Sequence, residues 1–145
     1  SIEKTKAGSN FAGFEAEDIN GKAVNYESLK GKLVYVDVWA TWCKPCLQEL
    51  PAMKALQEEY KGKDITFVSL SVDKDKEAWK AMVTEEKMQG VQLHIDLGAH
   101  RDFIENYDLT GIPRFFLISK EGKIISISAP RPSEAKIKEL INANL

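Results

Sequence analysis

Residues 33–46 read LVYVDVWATWCKPC, and this stretch decides how the chain folds. Its first half, Leu33 to Trp39, is almost continuously apolar and rich in β-branched and aromatic residues. Such a run is typical of a strand buried on both faces, as in a parallel sheet. A helical pattern then begins at Cys43 and continues to about Tyr60. This strand-to-helix junction predicts a functional site, because open α/β sheets place their active sites at the carboxyl ends of central strands.

Strand and helix patterns alternate along the rest of the chain. A hairpin is predicted over residues 14–26, because Asn20-Gly21 is typical of a type I′ turn, in which both central residues have positive φ. The later predicted elements are strands at 65–72, 93–95, 114–118 and 123–128, and helices at 76–88, 101–107 and 133–142, the last capped by Ser133. This order predicts the α/β class, with a central mixed β-sheet flanked by helices, an N-terminal β-hairpin and a central helical insertion.

Length and charge narrow the possible functions. The 145 residues suffice for one domain with one sizeable core, and we predict a single domain over residues 1–145. The 20 basic and 22 acidic residues give a formal charge of −2, which does not indicate nucleic acid or an anionic membrane as a partner. The longest apolar run, residues 33–40, is too short to span a membrane. We interpret the mixed charges of residues 73–77 as a solvated helix start.

The chain begins at Ser1 without an initiator methionine or a signal peptide. Residues 1–10 are polar, and we expect them to form a flexible lead. We interpret the chain as a processed protein or an excised domain, such as the C-terminal domain of a longer protein.

The chain contains two cysteines, three positions apart. A structural disulfide usually closes a longer loop, so this spacing favours chemistry or metal binding. At the start of the predicted helix, the Cys43 sulfur would face unpaired backbone N–H groups and the positive end of the helix dipole, both of which stabilise a thiolate. Cys46, one turn further along, would be more buried and would react second.

This asymmetry predicts a mechanism of thiol–disulfide exchange. Cys43 attacks a substrate disulfide to form a mixed disulfide, and Cys46 then attacks Cys43 and releases the reduced substrate. Lys44 adds a positive charge that lowers the pKa of Cys43 modestly, because the ammonium is exposed and screened. Pro45 suits a first helical turn, where its missing N–H would be unpaired in any case.

Metal binding is the competing interpretation of the cysteine pair. His94 and His100 could complete a set of two cysteines and two histidines. The gap from Cys46 to His94 is far longer than a zinc finger uses, and a domain with its own core does not need structural zinc. We therefore predict no metal, and we expect each histidine to lie on the surface or in a loop.

The segment Trp42-Cys43-Lys44-Pro45-Cys46 resembles the active site of the thioredoxin superfamily. Three other features match this family: Asp37 six residues before Cys43, Pro51 five residues after Cys46, and the loop Thr110-Gly111-Ile112-Pro113. The longer form Cys46-Leu47-Gln48-Glu49-Leu50-Pro51 and the opening Asn20-Gly21-Lys22 are similar to the TlpA/ResA-like branch. The resemblance covers roughly residues 11–145 and implies a thioredoxin-like fold. General thioredoxins have Gly-Pro where this chain has Lys-Pro, which leaves the direction of electron flow open.

The resemblance also implies roles for two acids. Asp37 would be buried, with a raised pKa, and would accept the proton of Cys46; the alternative is an inert, hydrogen-bonded acid at the end of a strand. Glu49 would tune the cysteines; its alternative is a solvated glutamate on the helix.

A substrate-binding surface is implied around the dithiol. Pro113 would follow a cis peptide bond, leaving the Ile112 backbone free to pair with an extended substrate. Trp42 would belong to an exposed apolar rim with Lys44 and Pro45 beside it. Four further residues are expected to be structural: Trp39, Phe115, Phe116 and Leu117 in the core.

The resulting prediction is an enzyme, a thiol–disulfide oxidoreductase that exchanges two electrons between its Cys43–Cys46 dithiol and the cysteines of protein substrates. Reduction is the favoured direction, because the resemblance to the TlpA/ResA-like branch implies reduction of partner disulfides, as in cytochrome c maturation. We expect a monomer with an upstream electron donor and no cofactor beyond the redox-active disulfide. The resemblance implies a periplasmic or cell-envelope location. Two alternatives are a thiol peroxidase of the peroxiredoxin or glutathione-peroxidase kind and a non-catalytic protein-binding module.

Overall fold

The structure, a computed structural model, describes residues 5–145 and contains a seven-stranded sheet of order β2-β1-β5-β4-β3-β6-β7. Its central strands β3, β4 and β5 are parallel, and the outer pairings are antiparallel, so the predicted mixed sheet is confirmed. The strands are β1 Glu15–Glu17, β2 Ala23–Asn25, β3 Leu33–Trp39, β4 Ile65–Ser71, β5 Val91–His94, β6 Arg114–Ile118 and β7 Ile124–Ser126.

Helices flank this sheet. They are α1 Lys44–Gln48, α2 Leu50–Glu59, α3 Lys76–Glu85, α4 Arg101–Asn106 and α5 Lys136–Asn144, with a 3-10 turn at Tyr26–Ser28. The helix predicted from Cys43 to Tyr60 is divided at Glu49, and Pro51 lies in the first turn of the second half. A proline is tolerated there, because first-turn amides have no partner within the helix.

Every residue of β3 is buried, as its apolar run predicts. Alternate side chains of a strand point to opposite faces. Val34, Val36 and Val38 belong to one hydrophobic cluster, and Leu33 and Tyr35 belong to another. The predicted core positions in β6 are also confirmed, with Phe116 in the first cluster and Phe115 and Leu117 in the second. Because β3 lies between β4 and β6, the turn after it starts from a strand in which every residue is buried.

The opening hairpin forms, but its turn differs from the prediction. β1 and β2 pair in antiparallel register across a five-residue connection, residues 18–22. Gly21 has a φ of 81°, whereas Asn20 is not among the residues of positive φ, so this is not a type I′ turn. Asp18 decides the geometry instead, because its carboxylate accepts hydrogen bonds from the backbone N–H groups of Asn20 and Lys22.

The two ends of the chain also differ from expectation. Residues 1–4 of the predicted flexible lead lie outside the described residues. The rest is attached to the β6–β7 hairpin: the Gly8 amide donates to the Ile124 carbonyl oxygen at 2.8 Å, and the Ile124 amide donates to the Ser9 carbonyl oxygen at 2.8 Å. The last helix begins at Lys136 rather than at Ser133. Within residues 5–145, no helix combines the length and the apolar character needed to cross a membrane.

The charged run 73–77 is only partly as predicted. Asp75 caps α3, accepting hydrogen bonds from the backbone N–H groups of Glu77 and Ala78, as expected for a helix start. Asp73, however, is 4% exposed, so the prediction of a solvated residue is wrong for this acid. Its hydrogen-bond donors, described below, explain how the carboxylate is buried.

We predict that Gly90, which precedes β5, is required for close packing on β4. It has a φ of 79°, and a Cβ atom there would lie 2.9 Å from the Phe67 carbonyl oxygen. Gly21 has a similar φ of 81°, but a Cβ atom added there would meet nothing within 4 Å, so Gly21→Ala is a matched control for backbone strain alone. In urea unfolding of the oxidised protein, Gly21→Ala should lower the free energy of unfolding by about 1 kcal/mol, and Gly90→Ala by at least about 1 kcal/mol more. Equal losses in the two variants would contradict the prediction.

Candidate active site

The cysteine pair lies at the junction of β3 and α1. A tight turn follows the strand, in which the Cys43 amide donates to the Ala40 carbonyl oxygen at 3.1 Å. Cys43 is the N-cap of α1, and its Sγ accepts a hydrogen bond of 3.3 Å from the Cys46 amide. The two residues form a disulfide with a Cα–Cα distance of 5.2 Å. In the reduced protein, an amide aimed at the Cys43 sulfur favours the thiolate over the thiol.

The surroundings of the disulfide are unequal, although the two cysteines are equally buried. Both are 4% exposed, so Cys46 is not the more buried of the two in the disulfide state, contrary to the expectation. Trp42 is 70% exposed, and Lys44 and Pro45 are also exposed. Trp39 lies in the core, as expected. The residues on both sides of Cys43 in sequence, Trp42 and Lys44, are therefore exposed next to a buried disulfide.

Asp37 lies in the middle of β3 and is buried. Its Oδ2 accepts a hydrogen bond of 2.7 Å from the Ser69 hydroxyl on β4. Burial raises the pKa of the Asp37 carboxyl from 3.8 to about 7, and the hydrogen bond from Ser69 lowers it by less. Asp37 and Cys46 line the same cavity of about 250 Å³. A carboxyl that changes protonation near neutral pH thus shares a cavity with one of the two sulfurs.

Glu49 lies between α1 and α2 and is 9% exposed, which excludes the alternative of a solvated glutamate. It lines the same cavity as Asp37 and Cys46. Both of its carboxylate oxygens accept hydrogen bonds from Ser133, one from the amide at 3.0 Å and one from the hydroxyl at 2.8 Å. These bonds explain why Ser133 does not cap the last helix: its hydroxyl and amide hold a residue beside the dithiol instead.

The loop before β6 completes the site. The Ile112–Pro113 peptide bond is cis, as the resemblance implied. Ile112 packs against the cluster that contains Cys43 and Cys46, and Pro113 lines the cavity. Arg114 follows, and its guanidinium donates to three backbone carbonyl groups on the neighbouring segments, those of Tyr107, Asp108 and Ile127. Sequence reasoning missed Arg114, although a charged residue at the start of a buried strand is a usable signal.

A second group of residues that sequence reasoning missed contacts the turn at residues 40–43. Asp73 bonds to Thr41 and Ser71, and the Nε2 atom of His94 lies 2.6 Å from the Asp73 carbonyl oxygen. His94 is buried, so the prediction that it lies on the surface is wrong. His100 is partly exposed at the N-cap of α4. Within residues 5–145, His, Cys, Asp and Glu side chains form no cluster of three or more that could hold a metal ion.

Comparison with known proteins gives consistent matches. The Redoxin family matches residues 6–141 of this chain. The thiol–disulfide oxidoreductase ResA of Bacillus subtilis (strain 168) is 32% identical over 140 residues, which cover 97% of this chain and 76% of that protein. The crystal structure of a candidate thiol–disulfide oxidoreductase from Bacteroides vulgatus is similar with a TM-score of 0.89 and 38% identity, covering 98% of this chain and 99% of that chain. A solution structure of a candidate thiol–disulfide oxidoreductase from Bacteroides vulgatus is 55% identical, with a TM-score of 0.81 and coverage of 91% and 86%.

The raised pKa of Asp37 predicts how stability depends on pH. Between about pH 4 and pH 7, Asp37 of the folded protein keeps a proton that the unfolded chain releases, so the contribution of Asp37 to the free energy of unfolding falls as the pH rises through this window. The loss for the oxidised protein should be on the order of 4 kcal/mol at most. An asparagine at position 37 does not titrate. The free energy of unfolding of Asp37→Asn should therefore rise relative to that of the wild type as the pH rises, and the variant should be the more stable of the two at pH 8.

Urea unfolding of both oxidised proteins at pH 4, 5.5, 7 and 8 tests this dependence. The quantity to compare is the difference in the free energy of unfolding between Asp37→Asn and the wild type. A difference that stays constant from pH 4 to pH 8 would show that Asp37 titrates normally.

Proposed function

This chain belongs to the Redoxin family and is a TlpA/ResA-like thiol–disulfide oxidoreductase of the thioredoxin superfamily, and on that premise we propose that it reduces disulfides of protein partners. The observation that carries the exchange chemistry is the position of Cys43 as the N-cap of α1, where its Sγ accepts a hydrogen bond from the Cys46 amide. This contact stabilises a thiolate on Cys43, and the thiolate is the attacking species in disulfide exchange. The reducing direction is the one that the resemblance to the ResA-like branch supports.

The proposed reaction moves two electrons in two exchange steps. The Cys43 thiolate attacks one sulfur of the partner disulfide, which forms a mixed disulfide and expels a partner thiolate that takes up a proton. Cys46 then loses its proton and attacks the Cys43 sulfur. The bond from Cys43 to the partner breaks, the second partner sulfur leaves as a thiolate that takes up a proton, and the Cys43–Cys46 disulfide forms. A dithiol donor regenerates the reduced enzyme by the reverse exchange.

Asp37 is the proposed acceptor of the Cys46 proton. It lines the cavity that Cys46 also lines, and its pKa of about 7 suits proton transfer near neutral pH. Glu49 lines the cavity as well, and we propose that its charge, held in place by Ser133, tunes the thiol chemistry.

The proposed docking surface is formed by residues on both sides of the dithiol. Trp42 supplies an exposed aromatic face, with Lys44 and Pro45 next to it. From the other side, the Ile112 backbone would pair with an extended segment of the partner next to Pro113. This surface suits a peptide segment of a protein better than a small thiol, because it extends beyond the sulfurs on both sides.

We place this activity outside the cytoplasm, in the periplasm or cell envelope, and the similarity to ResA supports this location. Thioredoxin-like oxidoreductases use a cysteine pair as their redox group, and the proposed cycle needs only the Cys43–Cys46 pair, an upstream dithiol donor and a protein disulfide. The single domain and the monomeric state remain predictions.

The redox potential tests the direction of electron flow. The purified protein is equilibrated in graded dithiothreitol buffers, and alkylation of Cys43 and Cys46 is followed by mass spectrometry. We expect a single two-electron transition near the thioredoxin end of the range, about −270 mV. A value near about −120 mV would instead identify an oxidant that donates its disulfide. The absence of a reversible transition would contradict thiol–disulfide exchange itself.

Separate cysteine variants test the order of the two steps. Cys46→Ser should accumulate a mixed disulfide with a model protein disulfide such as insulin, because the resolving thiol is missing. Cys43→Ser should form none, since the attacking thiol is absent. The adduct is measured by non-reducing mass spectrometry. Rapid peroxide turnover by Cys46→Ser would favour a thiol peroxidase, and full biological function of both variants would favour a non-catalytic binding module.

A further inference from the structure

We propose that Asp73 is a positioning residue that holds the 40–43 turn, and with it Cys43, in the reactive geometry. This inference rests on the proposed function, because it concerns the same dithiol. Asp73 takes no part in the exchange steps described above, and it is not among the residues of the docking surface formed by Trp42, Lys44 and Pro45.

The Asp73 carboxylate is buried and is held entirely by hydrogen-bond donors. The Thr41 amide lies 3.1 Å from each of its oxygens, and the Thr41 hydroxyl donates to Oδ1 at 2.7 Å. The Ser71 hydroxyl donates to Oδ2 at 2.6 Å. None of the ion pairs between described residues includes Asp73. Hydrogen bonds to a carboxylate are stronger than those to a neutral acceptor, so Thr41 is held firmly.

Asp73 is itself fixed to the sheet. Its amide donates to the Ser71 hydroxyl at 3.1 Å, and its carbonyl oxygen lies 2.6 Å from Nε2 of His94 on β5. The His94 ring packs against Trp79, with 5.5 Å between the ring centroids. The residue before Asp73, Val72, donates its amide to the carbonyl oxygen of Trp39 at 2.9 Å, and this bond links the ends of β4 and β3. The carboxylate is therefore a rigid reference point.

Thr41 is the residue that connects Asp73 to the turn before Cys43. It is the second residue of the turn that the bond between the Cys43 amide and the Ala40 carbonyl oxygen closes. Trp42, the next residue, is 70% exposed and gives the turn little packing. The amide and the hydroxyl of Thr41, both bonded to Asp73, thus fix how the turn presents Cys43 to a partner disulfide and to Cys46. In-line attack on a disulfide requires this alignment, and reacting groups displaced by about 1 Å can lose about 100-fold in rate.

Two pairs of variants separate positioning from simple stabilisation. Asp73→Ala removes the carboxylate, and Asp75→Ala is its matched control, because Asp75 caps α3 two residues away without contacting the turn. Thr41→Val removes the hydroxyl bond to Asp73 and keeps the shape of the side chain, whereas Thr41→Ser keeps the hydroxyl. For each reduced protein, the rate of reaction with insulin and the rate of alkylation of Cys43 are measured from pH 5 to pH 9. The high-pH plateau gives the rate of the thiolate, and melting temperatures are recorded in parallel.

We expect Asp73→Ala to lower the plateau rate with insulin by about 10- to 100-fold. Thr41→Val should lower this rate by a smaller factor, whereas Thr41→Ser should react at the wild-type rate. Asp75→Ala should lower the melting temperature and leave the rate unchanged. If Asp73→Ala does not fold, the comparison of Thr41→Val with Thr41→Ser decides. A folded Asp73→Ala, or a Thr41→Val, that keeps the wild-type plateau rate would overturn the positioning role and leave the oxidoreductase function intact. A wild type that does not react with insulin would instead overturn the proposed function.

Discussion

The burial of β3 on both faces is the constraint on which the rest of the structure depends. It lies between β4 and β6 and contributes to a hydrophobic cluster on each side of the sheet. The turn that follows this strand therefore starts from a rigid base, and Cys43 is placed at the N-terminus of α1 by the packing of the chain itself. The same burial acts on Asp37, whose carboxyl has lost water and gained one hydroxyl donor in return.

Two buried aspartates near the dithiol show how differently one residue type can be used. Asp37 has Ser69 as its hydrogen-bonding partner, and burial raises its pKa to about 7, which suits a group that exchanges protons. Asp73 is surrounded by donors from Thr41 and Ser71, which suits a fixed acceptor that holds a turn. The two carboxylates differ in their donors: one hydroxyl contacts Asp37, whereas two hydroxyls and a backbone amide contact Asp73.

The parts of the fold and site that sequence could predict are those with a local signature. The run from Leu33 to Trp39 predicted its own burial, and Cys43 and Cys46 indicated their chemistry through their spacing and position. Two of the predictions that failed concern hydrogen-bond partners that are distant in sequence. Serine is a residue type favoured at helix N-caps, but Ser133 bonds to Glu49, which is 84 residues away. Asp73 lies in a charged run typical of solvent, yet it is buried by its contact with Thr41, 32 residues away.

The sequence by itself therefore determined the alternation of strands and helices, the central strand and the cysteine pair at a helix start, because periodicity and helix-start patterns act over a few residues. Only the tertiary structure decided which hydroxyl bonds to Asp37, which serine holds Glu49 and how Arg114 fixes the loop that carries Pro113. These outcomes depend on which donors meet a carboxylate or a carbonyl group once distant segments pack together. A hydrogen bond between such segments leaves no periodic trace in the sequence, since its partners share neither a turn of helix nor a face of one strand.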